Sequence, residues 1–200
     1  MSRVRVRVVK VGGSWLTSHE LPRRLRNWLA AQATAQPDSH FVLLAGGGKW
    51  VDAIRAIDAR TPLGEERAHW ICVALMDITA GLLGAMLPEL RAAATLDELA
   101  VRLHEPGVTL LRPRRFVEER EPALPGTRLP ANWSVTSDSI AGRLAVVLGA
   151  DELVLLKSVP PPVAAGGQNW LEQLATTGHV DEFLPRLSAE LPPVRCTILD

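Results

Sequence analysis

The sequence predicts an α/β domain built on a mostly parallel sheet with helices on both faces, and three observations predict it. Strand-like and helix-like segments alternate nearly from end to end, as in repeated β–α–β units. Two runs, Phe41-Val42-Leu43-Leu44 and Leu153-Val154-Leu155-Leu156, are apolar without polar alternation, the mark of strands covered on both faces. The first two strands end in or near glycines and lead on to helices; ligands of such sheets bind beyond strand carboxyl ends.

Taken in order, Val4-Arg5-Val6-Arg7-Val8 alternates β-branched and charged residues and reads as the first strand. Its arginines, with Arg3, are expected on a solvated face or edge. Residues 20–34 carry Leu21, Leu25, Trp28 and Leu29 on one helical face. A second strand spans 40–45, Gly46-Gly47-Gly48 ends it, and helical spacing resumes over 49–60. A long helix follows over 65–87, with Asp77 in its middle. Thr95 and Glu98 have capping-box spacing, so a short helix should start there and run towards Leu103. Residues 108–111 and 115–117 look like short strands, and 122–130, rich in proline and glycine, like a surface loop. The polar cluster from Asn132 to Ser139 opens a helix continuing to Gly149. After the strand at 153–156 come Pro160-Pro161-Pro162 and Gly166-Gly167, helices over 169–176 and 181–190, and a last strand over 194–199.

Two hundred residues, 47% hydrophobic and 22% charged, suit one domain over residues 1–200 with a continuous core. A formal net charge of zero argues against nucleic acid as a partner, because a phosphate backbone demands a basic surface. Cys72 and Cys196 lie far apart, a spacing for neither zinc nor a disulfide framework, which points to a reducing cytoplasm. The N-terminus alternates Arg and Val where a signal peptide needs an unbroken apolar core, and no apolar run reads as a membrane span. Of 22 basic residues apart from histidine, only Lys10, Lys49 and Lys157 are lysine. Each sits at or just beyond a strand end, which favours phosphate contact in a tight space.

The stretch Val8-Val9-Lys10-Val11-Gly12-Gly13-Ser14 organises the rest. Glycines at a strand end let backbone N–H groups approach an anion closely, and a lysine supplies a compact charge that follows a phosphate as it moves. Alone, this stretch fits an ordinary strand–loop turn equally well. Two familiar phosphate motifs fail. Gly48-Lys49 is followed by Trp50, with Leu43 where a Walker loop needs its first glycine, and Val51 replaces the last glycine of a dinucleotide fingerprint. No serine sits in a nucleophile-elbow pattern.

Together, Val9-Lys10-Val11-Gly12-Gly13-Ser14, Leu44-Ala45-Gly46-Gly47-Gly48, Ser134-Val135-Thr136-Ser137-Asp138 and the strand from Leu153 to Lys157 resemble the amino acid kinase family in content and order. The resemblance implies a three-layer αβα sandwich that moves a phosphoryl group from ATP to a carboxylate, carbamate or phosphate acceptor. It implies that Lys10 neutralises the transferred group, that Gly12 and Gly13 bond it through their backbones, and that Asp138 holds the catalytic lysines. Ser14 and Ser158 belong to the same ATP side. Gly46, Gly47 and Gly48 would cradle the acceptor, with Ser134 and Thr136 lining it.

Two departures stand out. The family's late G-G-M-x-x-K segment is replaced by Gly166-Gly167-Gln168-Asn169 without a lysine, and its T-D-V-D-G by Lys157-Ser158-Val159-Pro160. Lys157 is therefore expected to supply the missing cation. With the short length, Thr136-Ser137-Asp138-Ser139-Ile140-Ala141, Leu155-Leu156-Lys157-Ser158-Val159, His69-Trp70 and Gly178-His179-Val180-Asp181 resemble small kinases of methanofuran-type cofactor synthesis. That branch implies ATP and magnesium, the ion held mainly by ATP phosphates, and an aminomethyl-furan-methyl phosphate acceptor. The substrate's ammonium would need an acidic partner, Asp52 or Asp77; their ordinary readings are a solvated carboxylate at a helix start and a helix-packing hydrogen bond. His69, His104 and His179 lack metal spacing and read as structural or surface. Trp15 and Trp50, each just past a glycine run, are expected to pack in the core or flank the substrate. Another phosphomonoester acceptor, or a nucleotide or oxyanion binder without turnover, stays open, and a homo-oligomer is expected.

Overall fold

A computed structural model of the chain describes residues 3–162 and 169–199. Gly166-Gly167-Gln168, which carry the first departure above, lie outside the described residues. Six strands form one sheet in the order β3-β4-β2-β1-β5-β6: β1 (Arg5–Val11), β2 (Ser39–Ala45), β3 (Arg91–Ala93), β4 (Gly107–Leu111), β5 (Glu152–Lys157) and β6 (Val194–Ile198). Every pairing is parallel. The helices are α1 (Leu21–Ala35), α2 (Lys49–Asp58), α3 (Glu65–Met86), α4 (Leu96–Arg102), α5 (Ser137–Val147) and α6 (Trp170–Thr176).

Side chains alternate between the two faces of a strand, and the core divides accordingly. Val6, Val8, Val42, Leu44, Leu153 and Leu155 pack under α4, α5 and α6 through Leu99, Ile140, Leu144 and Leu174. Val9, Val11, Phe41, Leu43, Val154 and Leu156 pack on the opposite face with Leu21, Leu25 and Leu29 of α1. Helix α3 joins both, placing Val73 and Met76 in the first core and Ala80 and Leu83 in the second. The result is the three-layer sandwich with β1 and β2 at its centre. All of Leu43, Leu44, Val154 and Leu155 are fully buried, as their unbroken apolar runs require.

Several local expectations change. Residues 115–117 are not a strand: after Pro113 the chain turns helical and passes into a π-helical turn at Phe116–Arg120, helped by the i,i+4 pair of Arg114 with Glu118 at 2.9 Å. The helix expected over 181–190 shrinks to a 3₁₀ turn at Leu184–Leu187: Asp181 stays outside it, accepting from Leu184 N at 3.0 Å, and Pro185 supplies no N–H. The helix expected from Asn132 begins at Ser137. Arg7 is not solvated; it is 9% exposed and bonded to Glu152 and Ser39. Helix α3, contrary to the sequence reading, is long and apolar enough by length and composition to cross a membrane; its contribution to both cores accounts for part of that apolar character. The cap at Thr95 forms as expected: its Oγ1 accepts from Glu98 N at 3.1 Å, and Glu98 Oε2 accepts from Ala94 N at 2.8 Å.

The proline-rich segment is pinned rather than loose. Arg143 of α5, fully buried, donates to Glu121 at 3.0 Å and to the carbonyls of Leu124 and Pro125 at 3.2 and 2.7 Å. That anchorage fixes α5, whose first turn carries the site.

Candidate active site

The strand period decides where the two lysines point. Lys10 follows Val6 and Val8 on the α5 side of β1, and Lys157 follows Leu153 and Leu155 on the same side of β5. The strands are parallel neighbours, with Lys10 opposite Leu155, so both ammonium groups emerge at carboxyl ends beneath the amino end of α5. Asp138, in the first turn of that helix, receives them: Lys10 Nζ lies 2.7 Å from Oδ1, and Lys157 Nζ lies 2.9 Å from Oδ2 and 3.1 Å from Oδ1. Lys157 also donates to the His179 carbonyl.

All three groups are nearly dry, at 5%, 7% and 13% side-chain exposure for Lys10, Asp138 and Lys157. Burial alone would raise the Asp138 value, but the two ammonium groups outweigh it and hold its carboxyl down at about 2. Burial lowers the value of Lys10 against the pull of Asp138, and the like charge of Lys157 lowers it further. Lys157 is less buried, and Asp138 outweighs its burial and keeps its value raised. Two cations on one carboxylate leave positive charge without a protein counter-ion within the triad, an arrangement suited to an incoming anion.

The two glycine runs meet beside this triad because β1 and β2 are in register, Val11 opposite Ala45. A Cβ on Gly13 would fall 2.1 Å from Gly48 N, so only glycine permits the approach. Gly48, at φ +56°, also needs the left-handed region to start α2. At the start of α2 the Lys49 and Trp50 N–H groups are left without partners in the helix and attract anions, whereas Val51 N donates to the Gly48 carbonyl at 3.0 Å. Ser14 and Ser158 are joined at 2.9 Å across the ends of β1 and β5.

A cavity of about 200 Å³ opens next to the glycine junction, lined by Gly47, Gly48, Asp52, His69, Trp133 and Thr136 among others. Contrary to expectation, the Gly12 N–H is not open to a phosphate, because it donates to the Leu156 carbonyl at 2.8 Å. Thus Lys10, Asp138 and Lys157 come together, with Gly12, Gly13, Gly46, Gly47 and Gly48 beside them, and Asp52 and Thr136 reach the adjoining cavity. Two expected residues do not. Asp77 accepts from Arg114 N at 3.0 Å and does not line the cavity, which matches its ordinary packing role. Ser134 donates to Asn132 Oδ1 at 2.6 Å and likewise lies outside it. Lys49 is exposed at the start of α2. Trp15 donates its Nε1–H to the Lys157 carbonyl at 3.0 Å, bracing the strand end, and Trp50 is an exposed residue away from the cavity.

Sequence reasoning missed Asp181. Its carboxylate accepts from Thr136 N and Oγ1 at 2.9 and 2.8 Å, from Ser139 N at 2.9 Å, from the Ser139 hydroxyl and from Leu184 N at 3.0 Å. It therefore caps α5 from 42 residues beyond Ser139, holding the turn that presents Asp138. Burial, and then the charge of Asp138, raise the value of its own carboxyl. Trp133, Arg55 and His69 were also missed as cavity walls. Among the described residues no group of three or more His, Cys, Asp or Glu side chains is placed to hold a metal ion.

Comparison with known proteins identifies the family and the fold. The amino acid kinase family profile matches residues 5–161. The [5-(aminomethyl)furan-3-yl]methyl phosphate kinase of Methanocaldococcus jannaschii is 24% identical over 154 residues, which is 76% of this chain and 65% of that protein. The chain thus covers less than two thirds of that relative's length. The uridylate kinase of Archaeoglobus fulgidus superposes with a TM-score of 0.64 at 17% identity, over 97% of this chain and 90% of that one. The UMP kinase of Ureaplasma parvum gives 0.61 at 12% identity, over 100% and 92%; these two likenesses establish the fold. The profile covers both glycine-ended strands, Asp138 and Lys157, and the chain belongs to the amino acid kinase family.

Proposed function

We propose that the protein is an ATP-dependent kinase that adds a phosphoryl group to a small phosphomonoester, [5-(aminomethyl)furan-3-yl]methyl phosphate, giving the diphosphate used in methanofuran-type cofactor synthesis. The single observation that carries the kinase reading is the pair of lysines from adjacent strand ends sharing Asp138 beside two touching glycine runs. An oxygen of the acceptor phosphate attacks the γ-phosphorus of ATP, the bond to the β–γ bridging oxygen breaks, and ADP leaves. The attacking oxygen of a phosphate dianion has no proton to lose, so positioning and charge stabilisation are the protein's work.

Lys10 and Lys157 face the transferred group as its charge passes from one side to the other. The Gly13 N–H, with Ser14 and Ser158 and the close approach that Gly12 permits, takes the ATP side. Gly46, Gly47 and Gly48 take the acceptor phosphate, and Thr136 and Asp52 line the space for its body. Asp138 fixes both cations and, with both oxygens engaged, is not free to ligate a metal. The residues present therefore do not fit a protein-held magnesium; the ion expected with ATP would arrive on its phosphates. A cavity of about 200 Å³ is smaller than the roughly 300–1,000 Å³ of drug-sized sites, which favours a single small ring over a nucleoside. The 24% identity to the furan phosphate kinase supports the same acceptor. A homo-oligomer in the cytoplasm completes the reading.

The test is ADP release by the purified protein with ATP, magnesium and a panel of phosphomonoesters, with the product identified by mass. Turnover of the aminomethyl-furan phosphate to its diphosphate above all others is expected. Nucleotide binding without ADP release on any acceptor would make the protein a binder instead.

A further inference from the structure

His69 belongs, by its sequence setting, to the packed side of α3, and it is 3% exposed. Yet it lines the cavity beside Gly47 and Gly48. Its Nδ1 lies 3.2 Å from the Asn132 carbonyl. A carbonyl only accepts, so Nδ1 carries the hydrogen and Nε2 is left with a lone pair. The ring packs edge-on against Trp70, centroids 5.1 Å apart, which fixes its plane, and among the described residues the ring bonds through Nδ1 and not through Nε2.

The remaining walls narrow what can meet that lone pair. Val73, Met76 and Ile140 are apolar. Trp133 is immobilised, its Nε1–H donating to Asp58 at 2.8 Å and the Arg55 guanidinium 4.4 Å from its ring centroid. A flat, rigid aromatic wall suits an unsaturated ring. Asp52, in the first turn of α2, lines the same space and has no ion-pair partner among the described residues. Burial lowers the His69 value and keeps the imidazole neutral, and it pushes the Cys72 thiol up to about 11. The walls thus offer an acceptor nitrogen and a carboxylate flanking a ring-sized space.

We propose that His69 and Asp52 together recognise a primary ammonium on the ring of the acceptor, making His69 the residue that selects an amine-bearing phosphomonoester. This rests on the kinase reading above and adds to it the residue that sets acceptor choice.

The experiment compares kcat/KM for the aminomethyl-furan phosphate with that for its 5-methyl counterpart, which lacks the amine, in the native protein and in His69→Asn. An asparagine amide N–H replaces Nδ1–H towards the Asn132 carbonyl and leaves nothing at the position of Nε2. The native protein should prefer the amine. The preference should fall about ten- to a hundredfold in His69→Asn, the range for losing a hydrogen bond to a charged group, mainly through KM. His69→Gln, which returns an oxygen near that position, should recover part of it. Asp52→Asn, on an exposed side chain, should also lower the preference and serves if His69→Asn does not fold. An unchanged preference in these variants overturns the proposal. A native protein that turns over amine-free phosphomonoesters better also overturns it but leaves the kinase reading standing. No turnover of any phosphomonoester overturns both.

Discussion

The two ends of the central strands carry the same charge arrangement in different chemistry. At the amino ends, Arg7 and Arg195 share the Glu152 carboxylate, Arg195 at 2.9 Å. At the carboxyl ends, Lys10 and Lys157 share Asp138. Each is two cations on one anion. The arginines are held as planar forks: Arg7 also donates to Ser39 at 3.2 Å, and Arg195 to Gln32 at 3.2 Å. The lysines are point charges with rotatable donors, and beside them stand two glycine runs whose contact excludes any Cβ. Unbalanced charge alone does not make a phosphoryl site. On the proposed reading, what does is the combination of point-charge cations with a glycine junction that lets backbone approach a phosphate.

Breaking the carboxyl-end triad at its centre should have the largest effect. Asp138→Ala leaves two buried ammonium groups facing each other, and removal of one partner from a buried charge cluster costs about 3–5 kcal/mol. Denaturant unfolding should show that loss, and ADP release should fall to background. Lys10→Ala keeps the Lys157–Asp138 pair and should lose on the order of a hundredfold or more in kcat, with a smaller change in stability. Gly13→Ala should cost on the order of a hundredfold in kcat/KM, because the Gly48 backbone must move and misplacement of reacting groups by an ångström is that expensive.

The pH dependence sharpens the contrast further. The folded value of Asp138, at about 2, lies below its ordinary value of 3.8, so its contribution to stability is present above the ordinary value and is lost as pH falls through the folded one. The stability gap between the native protein and Asp138→Asn should therefore shrink by roughly 2 kcal/mol between about pH 5 and pH 2. Asp181, whose value is raised, acts with the opposite sign: its protonation relieves a buried charge, so acidification through its folded value favours the native state and offsets part of the loss. Arg195→Ala, at the other end, should change stability by no more than about 1 kcal/mol and leave ADP release unchanged, since a partly exposed pair contributes little.

Much of this was legible in the chain, and the failures have physical causes. The runs Phe41 to Leu44 and Leu153 to Leu156 declared themselves as central strands because burial on both faces permits no polar alternation. Lys10 and Lys157 stood out because the chain uses arginine nearly everywhere else. Strand β3, Arg91-Ala92-Ala93, has no β-branched residue and exists because β4 pairs with it, so no local pattern announced it. Asp181 sits where helical spacing suggested a helix, but its carboxylate is captured by the start of α5, a long-range contact that periodicity does not register. His69 read as structural or surface; only the fold shows that it walls a cavity. Asp77 shows the reverse case, a carboxylate in an apolar helix whose partner is simply the Arg114 backbone.

The most direct measurement is a crystal structure with a non-hydrolysable ATP analogue. The γ-phosphoryl group is expected within hydrogen-bond distance of both Lys10 Nζ and Lys157 Nζ, over the Gly12-Gly13 backbone. A phosphate chain bound on another surface, with the Lys10–Asp138–Lys157 triad untouched, would contradict it.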